Sequence, residues 1–346
     1  MSKAAELAAL IGSQTALSNR NLIINGAMQV AQRGTSVTGI TTSGYRTVDR
    51  YQININTAGT WSISQSTTAP TGFANSLKMD CTTADASLAA GDYVIIKMHI
   101  EGQDLQQLKK GTADAEAVTA SFWVRSAKTG TYTFEIVDGD NSRTISASYT
   151  ISAANTWEYK TITFPGDTSG TLDNDANSSF QINWWLAAGS NFSSGTLATA
   201  WASQTNANRA VGNVNLADST SNDWYMTGFQ LEVGEQATPF EHEPYGVTLQ
   251  KAKRYFIRTE PFSYFVVSRW GDGTGATLAQ YDWGLKMRAN PSISQGGDAF
   301  STGNAYTGTP TFVNIEETHA ALSGNSRAAN YVEYCHNGQL DIDAEL

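Results

Sequence analysis

Two cysteines and seven prolines are few for 346 residues, and the cysteines form no pattern that carries chemistry. Cys81 and Cys335 lie too far apart for metal-ligand spacing, and two thiols make no disulfide framework. The chain therefore reads as one that folds with free thiols and does not depend on an oxidising compartment. No run approaches 18 consecutive apolar residues, which excludes a transmembrane helix. Charge is scarce as well, at 16% against about 25% for an ordinary soluble domain. The basic share is the smaller one, with 22 Lys and Arg facing 32 Asp and Glu for a net charge of −10. Nucleic-acid affinity rests on cationic side chains neutralising phosphates, so nucleic acid is excluded as a partner. Attachment to anionic lipid through a polybasic patch is excluded on the same ground. The opening MSKAAELAALIGSQTALSNRN has no continuous apolar region and carries Glu6 within its stripe, so it is a poor signal peptide. Synthesis in a cytoplasm is the expectation.

Motifs of catalysis are missing too. Neither GxxxxGK[ST] nor GxSxG occurs, and GDGTGA at 271–276 lacks both the last glycine and the following helix of a dinucleotide fingerprint. His99, His242, His319 and His336 are scattered without a second ligand at helical spacing, so no metal site is expected. The stretch DNDANSS resembles a calcium loop, but it lacks the turning glycine and has Trp184 where the bidentate glutamate belongs. Loop oxygens elsewhere leave room for a structural Ca2+; no other cofactor is called for. Glu101, Asp104, Glu135 and Asp138 read as turn residues or solvated strand faces. Nothing marks a carboxyl in an apolar pocket, the setting that raises a catalytic acid. No catalytic residue is assigned.

What is abundant is alternation. VTASFWVRSA sets Val118, Ala120, Phe122 and Val124 against Thr119, Ser121, Trp123 and Arg125, and TYTFEIV, WEYKTITF, SFQINWWLA and DWYMTGFQLEV follow the same rule. NLIINGAMQV, DRYQININT, WSISQS and DYVIIKMHI read likewise, with turn clusters such as DGDNS and PGDTSG between the segments. Period-two patterning marks strands with one face on a core. Many such strands with almost no helix predict an all-β fold, a jelly-roll β-sandwich. EGQDLQQLKKG reads as a short helical turn between two strands. Three segments result: residues 1–20 as a helical anchor or oligomerisation segment, 21–246 as the sandwich, and 247–346 as a linker helix with a smaller β domain. In the first, Leu7, Leu10, Ile11 and Leu17 form one helical face too short to stand alone in water, so it packs on its own copies or on a partner. In the third, SYFVVSRW, YDWGLKM, TFVNIEE and NYVEYCH read as strands. Between the second and third, Gly234 closes the last sandwich strand and Pro239 enforces a turn.

Aromatic residues are the one surplus, with nine Trp and fourteen Tyr. Such rings bring large contact area with few torsions to freeze, which suits the faces of sugars. Trp123, Trp184 and Trp224 are expected in the core, with Trp185 on the opposite face from Trp184. The candidate ligand-binding residues are Trp270 and Asp272 at the GDGTG loop, followed by Tyr281 and Trp283 on one strand face.

Several stretches together look familiar. NLIINGAMQVAQRGTS, YRTVDRYQI, IEGQDLQQLKKGTADAEAVTASFWVRS and GFQLEVGEQATPFEHEPYGVTLQKAKRYF resemble bacteriophage tail-fibre and related virion proteins, in the same order, over residues 21–257. LKMRANPSIS at 285–294 looks like the strand and turn of the small C-terminal domain of such fibres. The helix departs from that pattern, reading LQKAKRYF where relatives often place a cysteine. The resemblance implies a jelly roll similar to carbohydrate-binding modules in a non-enzymatic virion subunit. It further implies a homotrimer anchored by its N-terminus to other virion proteins of tail or capsid, facing host surface polysaccharide. The alternatives are a capsid decoration protein and a virion-associated polysaccharide depolymerase. The matching motifs look structural and carry over no glycan-contacting residue.

Overall fold

The computed structural model describes residues 3, 19–260, 263–268, 277–296, 301–303, 311–324 and 332–346. The predicted anchor residues Leu7, Leu10, Ile11 and Leu17 lie outside these, as do Trp270 and Asp272. The chain divides into two compact units, Met1–Thr248 and Leu249–Leu346. Among the described residues no helix is long and apolar enough to cross a membrane.

In the first unit the strands are, in chain order, β1 (Ser36–Ile40), β2 (Gly44–Tyr45), β3 (Gln52–Asn56), β4 (Thr60–Ser66) and β5 (Ser76–Thr83). Next come β6 (Tyr93–Glu101), β7 (Val118–Ser126), β8 (Gly130–Asp138) and β9 (Arg143–Ile151). Then follow β10 (Glu158–Phe164), β11 (Ser178–Ala188), β12 (Ala202–Ser203) and β13 (Asp223–Val233). A six-stranded sheet has the order β1-β4-β5-β13-β7-β10 and a seven-stranded sheet the order β12-β9-β8-β11-β6-β3-β2. All their pairings are antiparallel, and the sheets face each other as a jelly-roll sandwich.

Alternation explains the packing. Val118, Ala120, Phe122 and Val124 of β7 all enter one continuous core, with Trp61, Phe134, Trp184, Trp224, Phe229 and Leu231 from other strands. Trp184 sits at its centre, edge-on to Phe229 with ring centroids 4.6 Å apart. Such pairs add about 0.5–1.5 kcal/mol beyond area burial. Trp185 points the other way, into a small cluster with Ile95 and Ala210 that Phe192 and Tyr93 flank. A short helix α1 (Ser190–Ser193) begins the connection that covers this cluster.

Some expectations need correction. NLIINGAMQV forms no strand: Asn25 and Met28 adopt left-handed φ of 63° and 56°. The Asn25 side chain donates to Val30 O and Asp49 O and accepts from Val30 N, so a local turn replaces a ladder. Two strands that were not anticipated, β5 and β9, fill the interior of their sheets. EGQDLQQLKKG, by contrast, is helical between two strands as expected, in two 3-10 turns, Gly102–Asp104 and Gln106–Leu108.

The sandwich exit is built from the outward side chains of β13. Gln230 Nε2 donates to Glu232 Oε1 (2.8 Å), and Glu232 accepts from Thr238 N (2.8 Å) and Thr238 Oγ1 (2.7 Å). Gln230 Oε1 accepts from Glu241 N (2.8 Å), and Glu241 accepts from the backbone of Asn19 and Asn21 (3.0 Å each). The QLE…ATPFE pattern is thus a clasp that draws the chain back over β13 after Gly234. Phe240 closes it, its ring 5.1 Å from that of Phe73 and 4.8 Å from that of His242. Gly26 has to be glycine here, because a Cβ would lie 2.1 Å from Phe229 O.

Helix α2 (Tyr245–Lys253) carries the chain into the second unit. There β14 (Phe256–Arg258), β15 (Ser263–Ser268), β16 (Thr277–Asp282), β17 (Ser292–Gln295), β18 (Ser301–Gly303), β19 (Thr311–Val313), β20 (His319–Gly324), β21 (Val332–Gly338) and β22 (Leu340–Asp343) form three three-stranded sheets. Ile257, Met287, Leu340, Ile342 and Ala344 are the described core. The YDWGLKM stretch was expected as one strand, but β16 ends at Asp282 and the chain turns at Gly284 with φ 76°.

Candidate functional site

The outer face of the six-stranded sheet carries an aromatic surface. Opposite the core row of β7 stand Trp123 and Arg125. The register sets Tyr159 and Thr227 beside Trp123, and Tyr225 beside Arg125 and Lys78. Trp123 is half-buried and Tyr159 is 45% exposed, with ring centroids 5.3 Å apart at 49°. Trp157, half-buried, meets Tyr225 edge-on at 6.1 Å. Three partly accessible rings, Trp123, Trp157 and Tyr159, therefore occupy this sheet face with the buried Tyr225 beside them, and Trp123 is not the core residue the sequence suggested.

Local structure fixes this surface. The turn before β10 contains Asn155 at φ 57°, where an amide side chain tolerates the left-handed region. Glu158 Oε1 accepts from Ser152 N (2.7 Å) and Ala153 N (2.9 Å), closing the turn and placing Trp157. Arg125 donates from Nε and Nη2 to Asn155 O (3.1 Å) and Oδ1 (2.9 Å). Its guanidinium lies 4.6 Å from the Tyr225 ring centroid, and the Lys78 ammonium 5.6 Å. Both cations have carboxylates nearby, Lys78 with Asp80 at 3.1 Å and Arg125 with Asp223 at 3.9 Å. Burial alone would lower Lys78, but Asp80 and the Tyr225 hydroxyl outweigh it and hold the ammonium above its usual range. The surface offers ring faces with locally balanced charge, suited to stacking on neutral polar ligands.

The seven-stranded sheet presents a different outer face. Glu135, fully buried, accepts from Arg209 Nε (2.7 Å) and Nη2 (2.9 Å), Thr144 Oγ1 (3.0 Å), Asn183 Nδ2 (2.9 Å) and Trp185 Nε1 (3.0 Å). Arg209 also lies 5.1 Å from the Trp185 ring centroid, so the connection bearing it is pinned to the sheet. Lys97, beside Asn183 in register, is pushed down to about 8, first by burial and then by Arg209, against the opposing pull of Glu135. At the sandwich edge Lys110 bridges Asp138 and Asp167, and Arg143 holds Asp167 through two bonds of 2.7 and 2.9 Å. Burial would raise Asp167; the bonds from Arg143 and Lys110 outweigh it and keep its carboxyl below the usual range. Glu101, Glu135 and Asp138 are thus buried, where solvated strand faces or turns were expected. Alternation alone did not reveal that connections cover both ends of β8.

The sequence-predicted residues lie elsewhere. Tyr281 and Trp283 are half-buried and pack against the core of the second unit, 6.4 Å apart, with Trp283 Nε1 donating to Glu317 O (2.9 Å). Burial raises the Tyr281 hydroxyl. Among the described residues no group of three or more metal-ligating side chains occurs. The missed residues are Trp123, Trp157, Tyr159 and Tyr225. Trp123 and Tyr225 carried a usable signal, because each alternates with core residues of its own strand.

No protein-family profile and no curated protein matches the chain. Solved structures resemble it distantly. One is the enzymatically active domain of tailspike protein 4 of bacteriophage CBA120, at 11% identity and TM-score 0.30, covering 62% of this chain. This chain spans only 21% of that one. A putative sugar binding protein from Bacteroides thetaiotaomicron shows 11% identity and TM-score 0.32, with 62% of this chain and 99% of that chain covered. A family 11 carbohydrate-binding module from Clostridium thermocellum shows 12% and 0.30, with 59% and 98% covered. Likeness at this level transfers neither ligand nor activity.

Proposed function

We propose that the chain is a glycan-binding structural subunit of a bacteriophage particle, using the outer face of its six-stranded sheet to hold host surface polysaccharide. The observation that carries this reading is the surface of Trp123, Tyr159 and Trp157, backed by the buried Tyr225, whose flanking cations already have anionic neighbours. Covering about 60 Å2 of ring with a sugar face at about 25 cal/mol per Å2 gives roughly 1.5 kcal/mol, or about tenfold in affinity. Such contacts are weak singly. A homotrimer that engages several at once gains about 10² to 10⁴ in avidity. The ordered resemblance of residues 21–257 to tail-fibre proteins supports the particle assignment, with Leu7, Leu10, Ile11 and Leu17 as the stripe that assembles copies or docks to the virion.

A non-enzymatic role is supported by the state of the buried carboxylates Glu135, Asp138 and Asp167, each engaged by a cation. Their cation partners hold these side chains in the framework of the sandwich. An array of bacterial surface polysaccharides tests the proposal. The protein retains at least one polymer, binding falls about tenfold for Trp123→Ala, and the bound polymer gains no reducing ends on incubation. Retention of no polymer, equal binding by the variant, or new reducing ends would each refute a part of it. Light scattering should give three times the 37.2 kDa chain mass, whereas a monomer would overturn the trimer.

A further inference from the structure

A second open concavity lies apart from the aromatic surface, where the β1–β2 loop, the β3–β4 turn and the β5–β6 loop meet. It encloses about 640 Å3 and is lined by Thr41, Ser43, Asn56, Thr57, Thr60 and Asp85 among others. That volume falls within the range of about 300–1,000 Å3 typical of small-molecule sites. The lining is unusual in composition: short hydroxyls, one amide, one carboxylate and no aromatic ring.

Its geometry is enforced. Thr57 is β-branched yet sits at φ 51°, a conformation that costs on the order of 1–3 kcal/mol and persists only where the surroundings impose it. Here a bridge from Thr57 to Tyr93 and the bond from Asn56 Nδ2 to Gly91 O (2.9 Å) impose it. Gly59 follows at φ 77°, and a Cβ there would lie 2.4 Å from Thr83 O. Asp85 is clamped from both sides, its N–H donating to Ala217 O (2.7 Å) and its carbonyl accepting from Asn215 Nδ2 (2.9 Å). Among the described residues its carboxylate is engaged through Oδ1, by Ser87 N (3.2 Å), and Oδ2 faces no donor, which leaves it to accept from a ligand.

We propose that this concavity is a second ligand site, taking the terminal hydroxyls of a neutral saccharide by hydrogen bonding alone. A lone carboxylate among hydroxyls is a poor calcium cage, which needs six to eight oxygens with several charges. The lining itself carries one carboxylate and no cation, which favours a neutral ligand over an anion, and it offers no ring for an aromatic ligand to stack on. Vicinal sugar hydroxyls can donate to Asp85 Oδ2, a charge-assisted bond about twice as strong as a neutral one. They can also exchange bonds with Thr41, Thr57 and Thr60. The site stands independently of the aromatic surface.

The test is amide NMR of the full chain with neutral trisaccharides of glucose, galactose and mannose as probes. At least one probe shifts the amides of Thr57 and Asp85, and does so equally in the Trp123→Ala/Tyr159→Ala double variant. Asp85→Asn weakens that response about tenfold while the remaining amides keep their dispersion. Absence of any shift at Thr57 and Asp85 with probe at ~10 mM, about tenfold above a 1 mM Kd, overturns the proposal. So does an unchanged response in Asp85→Asn.

Discussion

Replacing Glu135 by glutamine is the sharpest single test of how the seven-stranded sheet is held. Glutamine keeps the shape and one acceptor oxygen but turns the other position into a donor. With the amide nitrogen at Oε2, the donors Arg209 Nη2, Asn183 Nδ2 and Trp185 Nε1 all lose their acceptor. With the nitrogen at Oε1, the losses are Arg209 Nε and the bond from Thr144, whose hydroxyl can reverse and accept. The second orientation wins. It still leaves a guanidinium facing an amide N–H where a carboxylate stood. Breaking a buried pair by removing one partner costs about 3–5 kcal/mol. Because Thr144 adapts, the expectation is about 3 kcal/mol, toward the low end of that range. Urea unfolding followed by tryptophan fluorescence reads it, since Trp61, Trp184, Trp185 and Trp224 are all buried in the sandwich. Adding Arg209→Gln should recover part of the loss, so that the double variant costs less than the two single changes summed. A loss under about 1 kcal/mol for Glu135→Gln, or strict additivity, would refute the reasoning.

Other expectations follow from the same structure. Gly26→Ala, whose Cβ meets a backbone oxygen that cannot yield, should destabilise the sandwich by about 1–3 kcal/mol; unchanged unfolding would show that the clasp shifts freely. Asp167 is held ionised in the fold, so protons bind more readily to the unfolded chain. Its contribution is fully present above its ordinary value of 3.8 and is lost as pH falls below it. An acid titration should therefore be flatter for Asp167→Asn. Lys97 gives a slope of the same sign at higher pH. Its folded value of about 8 lies below the ordinary 10.5, so the unfolded chain binds the extra proton between those values. Stability relative to Lys97→Met should then rise as pH climbs from about 8 toward 10.5, and a constant difference across that window would contradict it.

The sandwich was legible because its strands alternate cleanly. β13 coincides with DWYMTGFQLEV, β7 falls one residue short of VTASFWVRSA, and Gly234 does end the last strand. Alternation failed at NLIINGAMQV because Asn25 competes for the backbone groups a ladder would use. It passed over β5, although Leu77, Met79 and Cys81 line the core there, because Lys78 and Asp80 between them look like a solvated loop. Side-chain roles were harder to read than strands. Trp123 was assigned to the core because it lies in a strand pattern, whereas its place between Phe122 and Val124 puts it on the outer face. The burial of Glu135 depends on Arg209, 74 residues away, and no local pattern encodes that distance. The Gln230 and Glu232 clasp was visible as a motif, but its purpose needed the positions of Thr238 and Glu241.

The most direct measurement is NMR of the nine tryptophan indole N–H groups, labelled with nitrogen-15, during titration with the polysaccharide retained most strongly from the array. The account predicts that the signals of Trp123 and Trp157 move together while those of the buried Trp61, Trp184, Trp185 and Trp224 stay fixed. Movement confined to Trp270 or Trp283, with Trp123 and Trp157 unaffected, would contradict it.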